Sequence, residues 1–230
     1  MRKLLIIFIF LATTFNLKAQ VLKERKHIQG GSQVWTNFTK EMFMYPDFIE
    51  GVVYYKNGQQ FKRLLNYNRM LKTIQFIDEK GDTLAIDNEA AVKSITVKDD
   101  EFIYFPNCLQ AIAKNERLGL YKHEELRVAD IRRKGLYGAP NSSGSYESII
   151  QVYTWMNSYQ LDINELLLLS KTTTFYIVTA HDELLTANRK NVLAQFTDNK
   201  TKISDFIKAK KISFTNETDL EQLSDYIRSL

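Results

Sequence analysis

The sequence predicts an α+β protein: an antiparallel β-meander followed by a β-hairpin plus short amphipathic helices. Three observations predict it. Between residues 48 and 105 the apolar residues come in short bursts, each closed by Asn, Asp, Gly or Lys. Turn chemistry of that kind punctuates strands of about four to eight residues. Asn57-Gly58 stands between two such bursts and is a strong local hairpin signal, because a type I′ turn needs φ > 0 at both central residues. After residue 187 the apolar spacing changes from strand alternation to helical recurrence.

Residues 1–19 read as a secretory signal peptide. Arg2 and Lys3 form a basic start, residues 4–12 form an apolar core, and Lys18-Ala19-Gln20 marks cleavage after Ala19. That core is too short for a membrane span, which needs about 20 residues. An uncleaved N-terminal anchor is the alternative reading. No Cys lies near the cut, so lipid attachment there has no acceptor. Removing Arg2, Lys3 and Lys18 leaves 28 basic residues against 27 acidic ones, a net charge of +1. The basicity belongs largely to the export signal, and a nearly neutral mature chain has no general attraction to nucleic acid. No transmembrane segment is expected in the mature chain.

The remaining chain is long enough to bury roughly 70% of its unfolded surface. With one cysteine, Cys108, no intramolecular disulfide is possible. Cys108 follows a strand-like run and reads as a buried small hydrophobe. Nucleophilic duty would need an activating base, and no motif joins it to His123.

In order, residues 21–31 are polar and mixed in charge, and are expected to be mobile. Residues 32–45 carry Val34, Trp35, Phe38, Met42, Phe43 and Met44, and read as either a first strand or a short helix that lids the sheet. The meander follows. Val53 and Tyr55 point one way, Val52 and Tyr54 the other, so both faces should be at least partly covered. Residues 79–82 form a second tight turn. Residues 92–97, 102–105, 109–113 and 118–121 are strand-like, and 124–133 read as a strand at a solvent-facing edge, where charge discourages further pairing. Residues 135–146 have linker composition and read as a flexible loop, a possible place for a ligand or partner.

Phe175-Tyr-Ile-Val-Thr and Glu183-Leu-Leu-Thr read as a hairpin across residues 180–182. Asn188 can cap a helix carrying Val192, Leu193 and Phe196. Ile203, Phe206 and Ile207 repeat the helical spacing after a break at 197–199. Leu220, Leu223, Ile227 and Leu230 form a third stripe, with Thr218 and Glu221 at capping-box spacing. The implied organisation is a signal peptide (1–19), a β-meander domain (20–134), a loop (135–150) and a C-terminal α/β lobe packed on the sheet (151–230).

Chemical motifs are scarce. His27, His123 and His181 stand far apart without metal-ligand spacing. Residues 99–101 are acidic but lack the alternating oxygens and glycine of a calcium loop. Neither a nucleophile elbow nor a phosphate loop is present. Glu124-Glu125 would serve hydrolysis only if the fold set suitable acids across a cleft. Tyr54, Tyr55, Phe61, Tyr67 and Phe76 read as core aromatics, with stacking on sugars or peptides as the alternative. No catalytic, cofactor-binding or metal-binding residue is therefore assigned, and no cofactor is expected.

Several stretches together, Gly51-Val-Val-Tyr-Tyr-Lys-Asn-Gly, Leu65-Asn-Tyr-Asn, Phe76-Ile-Asp-Glu-Lys-Gly-Asp-Thr-Leu and Lys134-Gly-Leu-Tyr-Gly-Ala, carry a likeness. Through them, and through Ile203-Ser-Asp-Phe-Ile-Lys and the residues after it, the chain resembles a group of uncharacterised exported proteins of Bacteroidota-type bacteria. The resemblance implies export to the periplasm or outer-membrane region and supplies no functional residues. The expected function is non-enzymatic: binding or scaffolding an envelope protein or glycan. The alternative is a hydrolase acting on envelope glycans or peptides.

Overall fold

The computed structural model describes residues 21–114, 118–134, 140–142, 165–179 and 183–230. It is mostly antiparallel sheet with four α-helices among these residues, an α+β architecture that is mainly β. The expected signal peptide and the His181-Asp182 turn lie outside the described residues. So does the expected 135–146 loop, except for Pro140–Ser142, which is a short strand on the sheet rather than free loop.

The strands are β1 (Val21–Gln29), β2 (Ile49–Tyr55), β3 (Gln60–Asn68), β4 (Thr73–Ile77), β5 (Thr83–Ala85), β6 (Val92–Val97), β7 (Asp100–Tyr104), β8 (Cys108–Lys114), β9 (Gly119–Lys134), β10 (Pro140–Ser142), β11 (Glu165–Val178) and β12 (Leu184–Thr186). Their order is β1-β11-β9-β8-β7-β6-β2-β3-β4-β5, with β10 on β9 and β12 on β11. Two meanders, β2 to β5 and β6 to β9, therefore grow in opposite directions from the β2–β6 pair. Residues 124–133, expected at an edge, lie in β9 between β8 and β11. Of the charges that suggested an edge, Glu124, Glu125, Arg127, Asp130 and Arg132 instead form ion pairs within the molecule. Of residues 21–31, expected to be mobile, Val21–Gln29 form edge strand β1, paired along its whole length with β11. Period-2 polarity on an edge strand looks like coil when its one partner lies far along the chain.

The sheet curls. Four strands separate β3 from β9, yet Leu126 N–H donates to the Arg69 carbonyl at 3.0 Å and Tyr67 Oη donates to the Glu124 carbonyl at 2.7 Å. Val53, Leu65, Tyr67, Ile74, Ile95, Val97, Phe102 and Cys108 pack into one buried cluster within this curl. Tyr67 stacks on Phe102 with ring centroids 5.8 Å apart, and Phe61 meets Phe76 edge-on, so these aromatics are core or core rim. Helix α1 (Val34–Met42) lids the α1-facing side of β1, β11 and β9, burying Phe38 and Met42 against Ile28, Leu126, Val128, Ile131, Leu167 and Leu169. Both Val128 and Ile131 reach this core because a bulge near Ala129 breaks the alternation.

The hairpin β11–β12 is present as expected. Helices α2 (Arg189–Gln195), α3 (Lys200–Ala209) and α4 (Glu217–Arg228) follow it. Their buried Val192, Leu193, Ile203, Ile207, Leu220, Leu223 and Ile227 close a third core over Leu120, Phe175 and Ile177. Asn188 caps α2, accepting from Asn191 N–H at 2.9 Å. The cap of α4 is Asn216, which accepts from Asp219 N–H at 3.0 Å, rather than the expected Thr218. Asn and Ser/Thr are near-equivalent caps, so spacing alone misplaced the boundary by two residues.

Asn57-Gly58 closes the β2–β3 hairpin, but not as a type I′ turn. Only Gly58 has positive φ, at 88°. Gly58 N–H donates to the Tyr55 carbonyl and Tyr55 N–H to the Gln59 carbonyl, so the loop is Lys56-Asn57-Gly58, a three-residue turn with glycine at the left-handed position. Asn57 accepts from Gln59 N–H with its side chain instead of adopting positive φ.

Candidate functional site

Polar chemistry gathers at two places, one open and one sealed. The open one is a concavity of about 890 Å³ on the face of β6, β2, β3 and β4 that points away from the curl's core. Alternation places it there. Val53, Leu65 and Ile95 turn inward and are fully buried, so Val52, Leu64 and Thr96 turn outward. The register puts Val52 between Lys62 and Thr96, and Glu50 beside Leu64. Lys98, Ile77, Asp78, Glu79 and Arg63 complete the lining. Leu64 is 43% exposed, an apolar side chain presented among charges.

Gly51 belongs to the floor. A Cβ there would stand 2.6 Å from the Thr96 carbonyl oxygen and 2.7 Å from Leu65 Cδ1, so the backbone sits this close to Thr96 and Leu65 at this position because the residue has no side chain. Of the carboxylates, Asp78 is occupied by its own turn, accepting from Lys80 and Asp82 N–H. Glu79 pairs with Arg63 at 3.1 Å, and the Arg63 guanidinium lies 4.8 Å from the Phe61 ring centroid. Glu50, Lys62 and Lys98 have no ion-pair partner among the described residues.

The sealed place lies where β3 meets β9. Arg69 Nε donates to Glu124 Oε2 at 2.7 Å, and Arg69 Nη1 donates to the carbonyls of Glu41 (3.2 Å) and Phe43. One guanidinium thus ties the end of α1, the end of β3 and the middle of β9. Burial pushes the Glu124 carboxyl up, but the Arg69 charge and hydrogen bond outweigh it and hold it below its ordinary range. Asp100 accepts from Tyr45 Oη and from Gln110 Nε2, and desolvation with the Asp100 contact raises the Tyr45 phenol. Gln110 Oε1 is buried without a partner among the described residues. The void it shares with Met44, Tyr67, Phe102, Cys108, Lys122 and Glu124 is too small to admit a water molecule. This cluster is a clasp, not a binding pocket.

The fold separates several residues that the sequence set side by side. Glu124 and Glu125 point to opposite faces of β9, the first to Arg69 and the second to Arg127 at 2.9 Å. The acidic run at 99–101 is dispersed: Asp100 takes the contacts above and Glu101 pairs with Lys114. No group of three or more His, Cys, Asp or Glu could hold a metal among the described residues. His27 is exposed on β1, while His123 is buried on β9. The fold does bring His123 to Cys108, fifteen positions away, but the His123 Nδ1 contact at 3.0 Å is to the Cys108 backbone carbonyl. The thiol is buried, and desolvation raises its pKa well above the ordinary value. Alternation in residues 50–64 carried the signal for the outward strand positions; the register and the turn residues Asp78, Glu79 and Lys98 that join them in the lining are set by the tertiary structure.

Comparisons with protein-family models, with curated proteins and with solved structures returned no match to this chain. No helix among the described residues is long and apolar enough to cross a membrane.

Proposed function

We propose that this chain is an exported cell-envelope protein that binds or scaffolds another macromolecule, an envelope protein or a glycan, through the concavity of β6, β2, β3 and β4. The observation that carries this reading is the character of that surface. It is broad and open, it presents Leu64 and Val52 among the free charges Glu50, Lys62 and Lys98, and its floor is regular sheet. Exposed apolar groups rimmed by charge fit partner docking. Glycoside hydrolysis commonly uses two cooperating carboxyl groups. Asp78 and Glu79 are engaged, which leaves Glu50 as the free carboxylate of the lining among the described residues.

A photo-crosslinking side chain at Leu64, tested in the native envelope, checks the reading. A discrete adduct from Leu64, and none from the same group at exposed Lys210, is the expected result. Adducts at neither position, or equally at both, would overturn it. Turnover of envelope glycans or peptides that disappears in Glu50→Gln would place the hydrolase first. Export has its own test: the protein recovered from cells should begin at Gln20, and a chain still starting at Met1 removes the envelope from the proposal.

A further inference from the structure

The two ends of the main strand order are unlike. Natural sheets blunt their edges by shortening, breaking or covering them. The β5 edge conforms, with three residues. The β1 edge does not: it is nine residues long, its register against β11 runs without a shift, and eight of its nine positions are exposed. Every second residue of β1 turns its N–H and C=O away from β11, so between Val21 and Ile28 the strand offers a regular ladder of backbone groups with no strand partner among the described residues.

The charges of β1 are sorted by face. The residues facing α1 are spent within the molecule: Glu24 pairs with Lys171 at 3.1 Å, Lys26 pairs with Glu41, and Ile28 is buried. The other face carries Lys23, Arg25 and His27 in consecutive outward positions, exposed and without an ion-pair partner among the described residues. Their neighbours on β11 are Thr172, Ser170 and Leu168, which neutralise nothing.

We propose that the outer edge of β1 accepts an added strand from a partner, and that this strand is an extended polypeptide segment with acidic side chains at alternating positions. Backbone pairing supplies the hydrogen bonds, and the Lys23–Arg25–His27 row selects the sequence. Opposite charges directly across a strand pair attract, and like charges repel. The same rule argues against a second copy of the chain. Pairing two β1 strands antiparallel about Arg25 sets Arg25 against Arg25, a like-charge pair directly across the strands. This surface is separate from the concavity on β6, β2, β3 and β4, and either can fail without the other.

The test uses the mature chain and labelled synthetic peptides of about ten residues, read by fluorescence anisotropy. An alternating Glu-Val peptide is expected to bind, more weakly as salt rises. An alternating Lys-Val peptide is expected not to bind. A Glu-Val peptide N-methylated at every second residue, on its pairing edge, should lose at least about tenfold, because several backbone donors are removed while charge is kept. The double substitution Lys23→Glu and Arg25→Glu, at two exposed positions, should reverse the preference between the Glu and Lys peptides. Equal binding of the methylated and unmethylated peptides would reduce the effect to charge attraction and overturn the strand. Absence of Glu-Val binding would leave a solvated edge and overturn the proposal entirely. A peptide-free dimer in sedimentation, with β1 amides protected from hydrogen exchange, would assign the edge to a second copy and overturn it too.

Discussion

Single atoms decide several features of this molecule. Gly51→Ala would set a Cβ 2.6 Å from the Thr96 carbonyl, a backbone atom that cannot swing aside. The expected loss is about 1–3 kcal/mol, measured by urea denaturation, with the β2–β6 seam opening at the floor of the concavity. Gly58 faces open space, so its demand is conformational. With φ at 88°, Gly58→Val should cost about 1 kcal/mol or more, and an unchanged melting temperature would contradict the turn. The Arg69–Glu124 pair is the third case, its side chains 14% and 12% exposed. Removing one partner strands the other, so Glu124→Gln should destabilise by about 3–5 kcal/mol. The pH dependence has a definite sign. The folded pKa of Glu124 lies below its ordinary value of 4.5, so folding disfavours its proton. Its contribution is complete above that ordinary value and is lost as pH falls through the lower folded value. Denaturant midpoints measured from pH 7 to pH 3 should fall in the native chain, and fall less in Glu124→Gln.

At the scale of elements, the competing caps of α4 can be separated directly. Asn216 holds the Asp219 N–H, and Asp219 Oδ2 in turn accepts from Ser213 N–H at 2.9 Å. Asn216→Ala should therefore cost about 1 kcal/mol, and Thr218→Ala much less, by thermal melting of each variant. Strand β9 shows a second element-level effect. A strict alternation would have turned Val128 and Ile131 to opposite faces, and only the bulge between them lets both meet Phe38 and Met42. The Leu126-x-Val128-x-x-Ile131 pattern is written in the sequence, but it reads as a charged, irregular segment until the facing helix is known.

Across the whole molecule, β9 and β11 are the spine. They pair with each other over nearly their full lengths and face all three buried clusters or the strands that form them. Amide exchange should be slowest in their paired middle and faster in β5 and β1, the two ends of the main strand order. Uniform protection across the sheet, or fast exchange in β9, would contradict this order of strands. The spine also shows why removal of residues 21–29 should do more than trim a tail. It would unpair the outer side of β11 and uncover Ile28's partners in the α1 core, so a lowered melting temperature with intact helix content near residues 189–228 is expected.

The sequence by itself determined the local features, because their causes are local. Short apolar bursts, turn residues and the change of spacing after residue 187 specify strands, hairpins and helices through contacts a few positions apart. Asn188 as a cap, the hairpin of β11 and β12 and the burial of Cys108 were legible for the same reason. Even there the type of the Asn57-Gly58 turn escaped, since Asn57 spends its side chain on Gln59 instead of taking positive φ. Only the tertiary structure decided which strands are neighbours. Pairing β1 with β11 joins residues about 150 apart, and the Arg69–Glu124 contact spans 55 positions, separations at which no periodicity carries information. The juxtaposition of β6, β2, β3 and β4 under the concavity, the sealing of Glu124 and the exposure of one basic edge all follow from that strand order. A strand's sequence specifies which faces it must bury, whereas the identity of its partners is settled by how the faces of all the strands are covered at once.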